Sequence, residues 1–86
     1  MKYYVYVIKS ERDKTLYKGL TSNLEKRLRE HNQGKNQSTK NKGSYKLVYF
    51  EGFGNRVKAR EREKFFNSGI GREQLKNFIY SSIAQW

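Results

Sequence analysis

Cysteine is absent from this 86-residue chain, so neither a disulfide nor a thiolate metal site can be built from it. Small secreted domains usually carry disulfides, and their lack points to a reducing, cytoplasmic setting. His31 is the one histidine, which excludes a multi-histidine metal centre. No stretch approaches the ~20 apolar residues that a membrane span requires. The run from Tyr3 to Ile8 is too short for the apolar region of a signal peptide, and no small-residue cleavage site follows it. A soluble protein without a targeting segment is the expectation. Walker loops, GxSxG elbows and glycine-rich dinucleotide turns are missing as well, and no small-molecule cofactor is expected. Nor is there a long basic amphipathic helix with an aromatic face, so a membrane partner finds no support.

Acidic residues are scarce: 8 stand against 19 Lys and Arg, for a net charge of +11. A folded domain this positive repels itself, and a polyanionic partner relieves the repulsion; nucleic acid is the leading candidate. An aromatic share of 15% is too high for a disordered basic tail. The length suits one domain over residues 1–86, in which nearly every large apolar side chain is needed for the core.

Tyr3 to Lys9 alternates tyrosine with aliphatics and reads as a strand. After the polar turn Glu11 to Lys14, Thr15 to Leu20 reads as a second strand, and so short a connection makes an antiparallel hairpin. Ser22 and Glu25 fit a capping box that opens a helix running to about Asn32, with Leu24 and Leu28 on one stripe and Gly34 as its stop. Gln33 to Ser44 is a polar loop, and Tyr45 to Phe53 forms a third strand. Asn55 caps a second helix that runs to about Asn67. Gly69 and Gly71 then break the chain before a last helix, Arg72 to Ala84, with Leu75, Phe78 and Ile79 inward. The order ββαβαα describes an α+β domain; periodicity does not say whether the helices cover one face of the sheet or both.

Strand alternation puts Tyr4, Tyr6 and Ile8 on one face and Tyr3, Val5 and Val7 on the other. Tyr17, in the partner strand, can approach Tyr6, and Gly19 beside it marks a close approach of backbone or ligand. Two tyrosines packing across strands is the ordinary account of such a pair. In the first helix Arg27 and His31 are four apart, hence neighbours at the edge of the Leu24/Leu28 stripe. In the second, Ala59, Glu63 and Phe66 fall at i, i+4 and i+7, so a carboxylate occupies an apolar stripe. Glu61 falls on a similar line with Val57 and Phe65, and periodicity does not choose between the two. An inward carboxylate needs a cationic partner or a metal ion, and Mg²⁺ is often held by only one or two carboxylates plus water and phosphate. Lys35, Lys40 and Lys42 make the loop basic, fit either for solvent or for phosphates.

These segments together resemble the GIY-YIG nuclease family, in particular its small stand-alone bacterial members, and are similar to the N-terminal nuclease domain of the excision-repair endonuclease. Tyr4-Val5-Tyr6 stands for the first motif and Tyr17-Lys18-Gly19 for the second. Thr21 to Asn32 looks like the family's arginine-bearing helix with its trailing His-Asn, Gly43 to Phe50 like its third strand, and Ala59 to Lys64 like Ala-x-x-Arg-Glu-Lys. The resemblance covers residues 3 to about 79. Two departures stand out: Tyr4 replaces the glycine of the first motif, and Lys18 the isoleucine of the second.

The resemblance implies a three-stranded antiparallel sheet flanked by helices and a metal-dependent DNA endonuclease in repair, recombination or processing. It also implies roles. Tyr6 and Tyr17 line the pocket, Arg27 faces the scissile phosphate, and Glu63 rather than Glu61 holds one Mg²⁺ or Mn²⁺. Asn77 lies near where some members use an asparagine. The expected chemistry has the metal neutralise phosphate charge, Arg27 stabilise the transition state, and Tyr17, by preference, take a proton from water. A free tyrosine titrates near 10, so a neighbouring cation, Arg27 or His31, is needed to lower it; His31 can also relay the proton. Lys18, Arg27, Lys35, Lys40 and Lys42 are the expected contacts to the DNA backbone. With no specificity domain attached, either a partner protein supplies targeting or the enzyme reads DNA shape. The competing class is a non-catalytic nucleic-acid-binding domain that keeps the fold.

Overall fold

The computed structural model describes residues 2–12, 14–34 and 44–84. Its elements are β1 (Tyr3–Ser10), β2 (Leu16–Thr21), α1 (Leu24–Asn32), β3 (Tyr45–Phe53), α2 (Arg56–Phe66) and α3 (Gly69–Ala84), the ββαβαα order of an α+β domain. The three strands form one sheet in the order β2-β1-β3. Both pairings are antiparallel, so β1 has a hydrogen-bonded neighbour on each side.

Alternation along β1 divides the core in two. Val5 and Val7 pack with Ala59 and Phe66 of α2 and Leu75 and Ile79 of α3. Tyr6 and Ile8 point the other way, with Tyr45, against Leu24 and Leu28 of α1. Both faces of the sheet are therefore covered, by α1 on one side and by α2 and α3 on the other. In β3 the register slips: Val7 faces Tyr49 while Ile8 faces Leu47, which leaves Val48 as the extra residue of a bulge. The bulge turns Tyr49 toward the α2/α3 core although Leu47 belongs to the α1 core.

The helix ends depart from the expected pattern in two places. Asn23, not Ser22, caps α1: its side chain accepts from the Lys26 amide at 3.1 Å, and Glu25 falls in the first turn instead of closing a box. Gly34 does terminate α1, with φ 74° in the left-handed region that glycine tolerates. Asn55 caps α2 as expected, accepting from Val57 and Lys58. The second departure is that Gly69 and Gly71 do not break the chain; they lie in the first turn of α3, and the interruption is at Asn67–Ser68. Gly71 is required there because a Cβ would run into the Phe65 carbonyl at the end of α2. Leu75 and Ile79 are buried, but Phe78 stays 38% exposed at the rim, stacked on Tyr49 at 5.7 Å.

Asn32 joins α1 to β3. The Tyr45 amide donates to its Oδ1 at 2.6 Å, and its Nδ2 donates to the Tyr45 carbonyl at 3.3 Å. The side-chain amide thus pairs with the strand as a backbone amide would. Among the described residues no helix is long and apolar enough to cross a membrane.

Candidate active site

Tyr6 is the hub. It faces Gly19 across the hairpin, and its ring lies over that glycine so closely that a Cβ there would strike the ring and hydroxyl. Glycine at this position lets the tyrosine reach the β2 edge. Its hydroxyl meets His31 Nε2 at 2.9 Å and accepts from Arg27 Nε at 3.2 Å. Arginine can only donate, so the hydroxyl is the acceptor in that bond, while the direction of its bond to His31 Nε2 is set by the imidazole tautomer. Arg27 is held from its other end by Glu30, at 3.2 Å.

His31 is 1% exposed, deeper than the boundary position expected for it. Three tyrosine rings pack around it: Tyr17 at 4.9 Å, Tyr6 at 5.8 Å and Tyr45 at 6.1 Å between centroids. Burial, reinforced by the Arg27 charge and opposed by Glu30, lowers its pKa below the ordinary histidine value. It is neutral at pH 7 and does not supply the cation expected to lower a tyrosine pKa. Arg27 does pull down the pKa of Tyr6, but not enough to bring it below the ordinary tyrosine value. Burial there outweighs the hydrogen bond and charge of Arg27, and the hydroxyl titrates above 10.0. Tyr6 accordingly keeps its proton near neutrality and serves as a fixed hydrogen-bonding post.

Burial resolves the α2 ambiguity. Ala59 and Phe66 are fully buried with Glu63 half-buried on their stripe, whereas Glu61 and Val57 are exposed. Glu63 has no ion pair or side-chain hydrogen bond among the described residues. Its charge nonetheless reaches Tyr6, where it opposes ionisation. No group of three or more His, Asp or Glu able to hold a metal occurs among the described residues. The available donor is thus one unpaired carboxylate, the set that suits a hard divalent ion otherwise coordinated by water and phosphate.

The two motif departures have structural explanations. Tyr4 lies over Gly52, its partner in β3, where a Cβ would come within 3.3 Å of the ring. A side chain at position 52 would crowd the Tyr4 ring, so a glycine there gives the ring its room. Lys18 points to the α2/α3 face, where its Nζ donates to the Phe66 carbonyl at 3.4 Å, and burial lowers its pKa. It lies at the C-terminus of α2, on the face of the sheet opposite α1. Lys35, Lys40 and Lys42 lie outside the described residues. Asn77 is exposed on α3, with no hydrogen bond to Tyr6, Tyr17, Arg27, His31 or Glu63 among the described residues.

Arg27 opens onto a groove of about 540 Å³ at the end of the sheet, walled by Tyr3, Leu20, Ser22, Lys26, Glu30 and Arg56. The sequence reading missed three of these. Glu30 was accessible from its i, i+3 spacing to Arg27. Lys26 and Arg56 carried no signal, because they meet only when α1 and α2 are placed on opposite faces of one sheet. Arg62 was missed as a structural residue: it pairs with Glu51 at 2.7 Å and stacks over Phe66 at 4.5 Å, tying α2 to β3.

A family model described as the GIY-YIG catalytic domain matches residues 2–74. A UPF0213 protein of Clostridium perfringens (strain 13 / Type A) is 40% identical over 83 residues, covering 95% of this chain and 88% of that protein. A second, from Staphylococcus haemolyticus (strain JCSC1435), is 38% identical over 76 residues, covering 87% of this chain and 92% of the other. Among solved structures, the solution NMR structure of a UPF0213 protein from Bacillus halodurans superposes with a TM-score of 0.57 at 28% identity. It covers 91% of this chain and 85% of that one.

Proposed function

Since the chain belongs to the GIY-YIG catalytic domain family of nucleases, we propose that it is a metal-dependent DNA endonuclease, acting as a single domain on phosphodiester bonds. The observation that carries this reading is the chain Glu30–Arg27–Tyr6–His31, which fixes one guanidinium at the wall of a basic groove. Held on both sides, Arg27 presents its remaining N–H groups to a phosphate without having to reorganise as charge develops. Tyr6 and His31 fix the angle at which it does so. Tyr17, half-buried against His31, is the group that accepts the proton of the attacking water. Glu63 would hold one Mg²⁺ or Mn²⁺, and such an ion, when bound, supplies charge neutralisation at the phosphate and at the departing 3′ oxygen. The +11 charge supports attraction to a DNA backbone, and the proposal extends to a role in repair, recombination or processing.

Incubation with linear, nicked, flapped and branched DNAs in Mg²⁺ and in Mn²⁺ tests the reading. Metal-dependent cleavage of at least one substrate is the expected result. DNA binding without cleavage of any would replace the enzyme by a binding domain of the same fold.

A further inference from the structure

The groove beside Arg27 has more positive charge than one scissile phosphate needs. Lys26 and Arg27 come from α1 and Arg56 from the start of α2, and the one carboxylate on its wall, Glu30, is already paired with Arg27. Neither Lys26 nor Arg56 has an ion pair among the described residues, and both are exposed. Three cations against one acid leave a surplus of two charges, the charge of two consecutive phosphodiesters.

Side-chain caps already occupy several first-turn amides: Asn23 takes that of Lys26, and Asn55 those of Val57 and Lys58. The positive charge on the groove wall comes from side chains, with the exposed Ser22 hydroxyl as an additional donor. The helices lie on opposite faces of the sheet, so a ligand touching both Lys26 and Arg56 must cross the sheet end between them.

We infer that Lys26 and Arg56 form a second phosphate site, which takes a backbone phosphate neighbouring the scissile one and so leads the cleaved strand across the end of the sheet. The inference rests on the nuclease reading. It assigns Lys26 and Arg56 to strand placement and leaves the chemistry with Arg27, Tyr17 and Glu63.

The test is a salt titration of binding to a fluorescein-labelled 20-mer duplex in EDTA, with the full chain and with Arg56→Gln, Lys26→Gln and, as control, Lys76→Gln on α3. Each groove variant should flatten the log–log slope by about 0.9, the loss of one phosphate contact. From 50 to 200 mM salt, wild type should then lose about 3.5-fold more affinity than either variant. A second arm replaces one phosphate at a time around the cut by a neutral methylphosphonate. At one flanking linkage the replacement should weaken wild type and leave Arg56→Gln unaffected. Slopes equal to wild type in both groove variants, or no linkage that distinguishes wild type from Arg56→Gln, overturns the second site while wild-type cleavage still stands. Absence of wild-type DNA binding overturns both readings, and so does binding without cleavage of any DNA, because the second site is defined beside the scissile phosphate.

Discussion

The two faces of the sheet are built from the same strand and do different work. On the α2/α3 face the buried side chains are Val5, Val7, Ala59, Phe66, Leu75 and Ile79, all apolar. On the α1 face the buried groups are Tyr6, Ile8, Tyr45 and His31, hydroxyl- and imidazole-bearing for the most part. One face stabilises by removing apolar surface from water. The other spends its interior on a hydrogen-bonded relay, where every polar atom needs a partner, and no buried side-chain polar atom lacks one among the described residues. A strand period of two lets one β1 serve both ends without compromise. Apolar and hydrogen-bonded interiors in this small domain are therefore separated by face.

Glu63 is where that separation is most exposed to failure, because it brings a carboxylate onto a helix of the apolar face. Glu63→Gln should reduce metal-dependent cleavage to background while DNA binding persists. With no cation paired to the carboxylate, the melting temperature in EDTA should be unchanged or slightly higher. A loss on the order of 3 kcal/mol, with cleavage retained below the melting point, would make Glu63 a salt-bridge partner and return α2 wholly to structure.

Matched substitutions on the two faces sharpen the contrast. Tyr17→Phe should fold normally and cleave roughly 10²-fold more slowly, the effect of a lost general base. Leu75→Ala should lower stability by about 2–5 kcal/mol with kcat per folded molecule unchanged. Near-normal turnover in Tyr17→Phe together with loss in Tyr6→Phe would move the proton acceptor from β2 to β1.

The alternating strands and the Asn55-capped helix were legible in the sequence because each rests on local periodicity or one capping residue. The α1 cap was not, since Ser22 and Asn23 are adjacent and both competent; Glu25, three residues after Ser22, favoured the wrong one. Gly69 and Gly71 read as breakers because glycine is flexible, yet Gly71 is there for close approach to Phe65. The Val48 bulge left no mark, and alternation read straight through β3 would put Tyr49 beside Leu47. At the site, Tyr6, Arg27, His31 and Glu63 could be nominated from motif spacing. That Tyr6 would hold its proton and His31 would be neutral depends on burial, which a linear pattern does not report.

The smallest expected effect is a pH dependence of stability arising on the α1 face. Folded His31 resists protonation, while the unfolded chain accepts a proton near pH 6.5. Its contribution is therefore complete above about 6.5 and is lost as pH falls toward the folded pKa. The groups facing it are Tyr6, Tyr17 and Tyr45, with Arg27 opposing and Glu30 favouring its protonation. Thermal melts from pH 7.5 to 5.5 should show declining stability in wild type and a flatter profile in His31→Gln. Equal slopes would mean that His31 is protonated in place.

Tyr6 belongs to the central strand, hydrogen-bonded to β2 on one side and β3 on the other. Its backbone amide has no route to solvent by fraying at a sheet edge, and strands so placed exchange their amide hydrogens only through openings close to complete unfolding. The relay is thus anchored to the central strand of the sheet. Warming toward the melting transition should shrink the number of competent molecules before it loosens the site within any one of them. Activity per folded molecule should hold steady up to the point at which cooperative unfolding removes strand and site together.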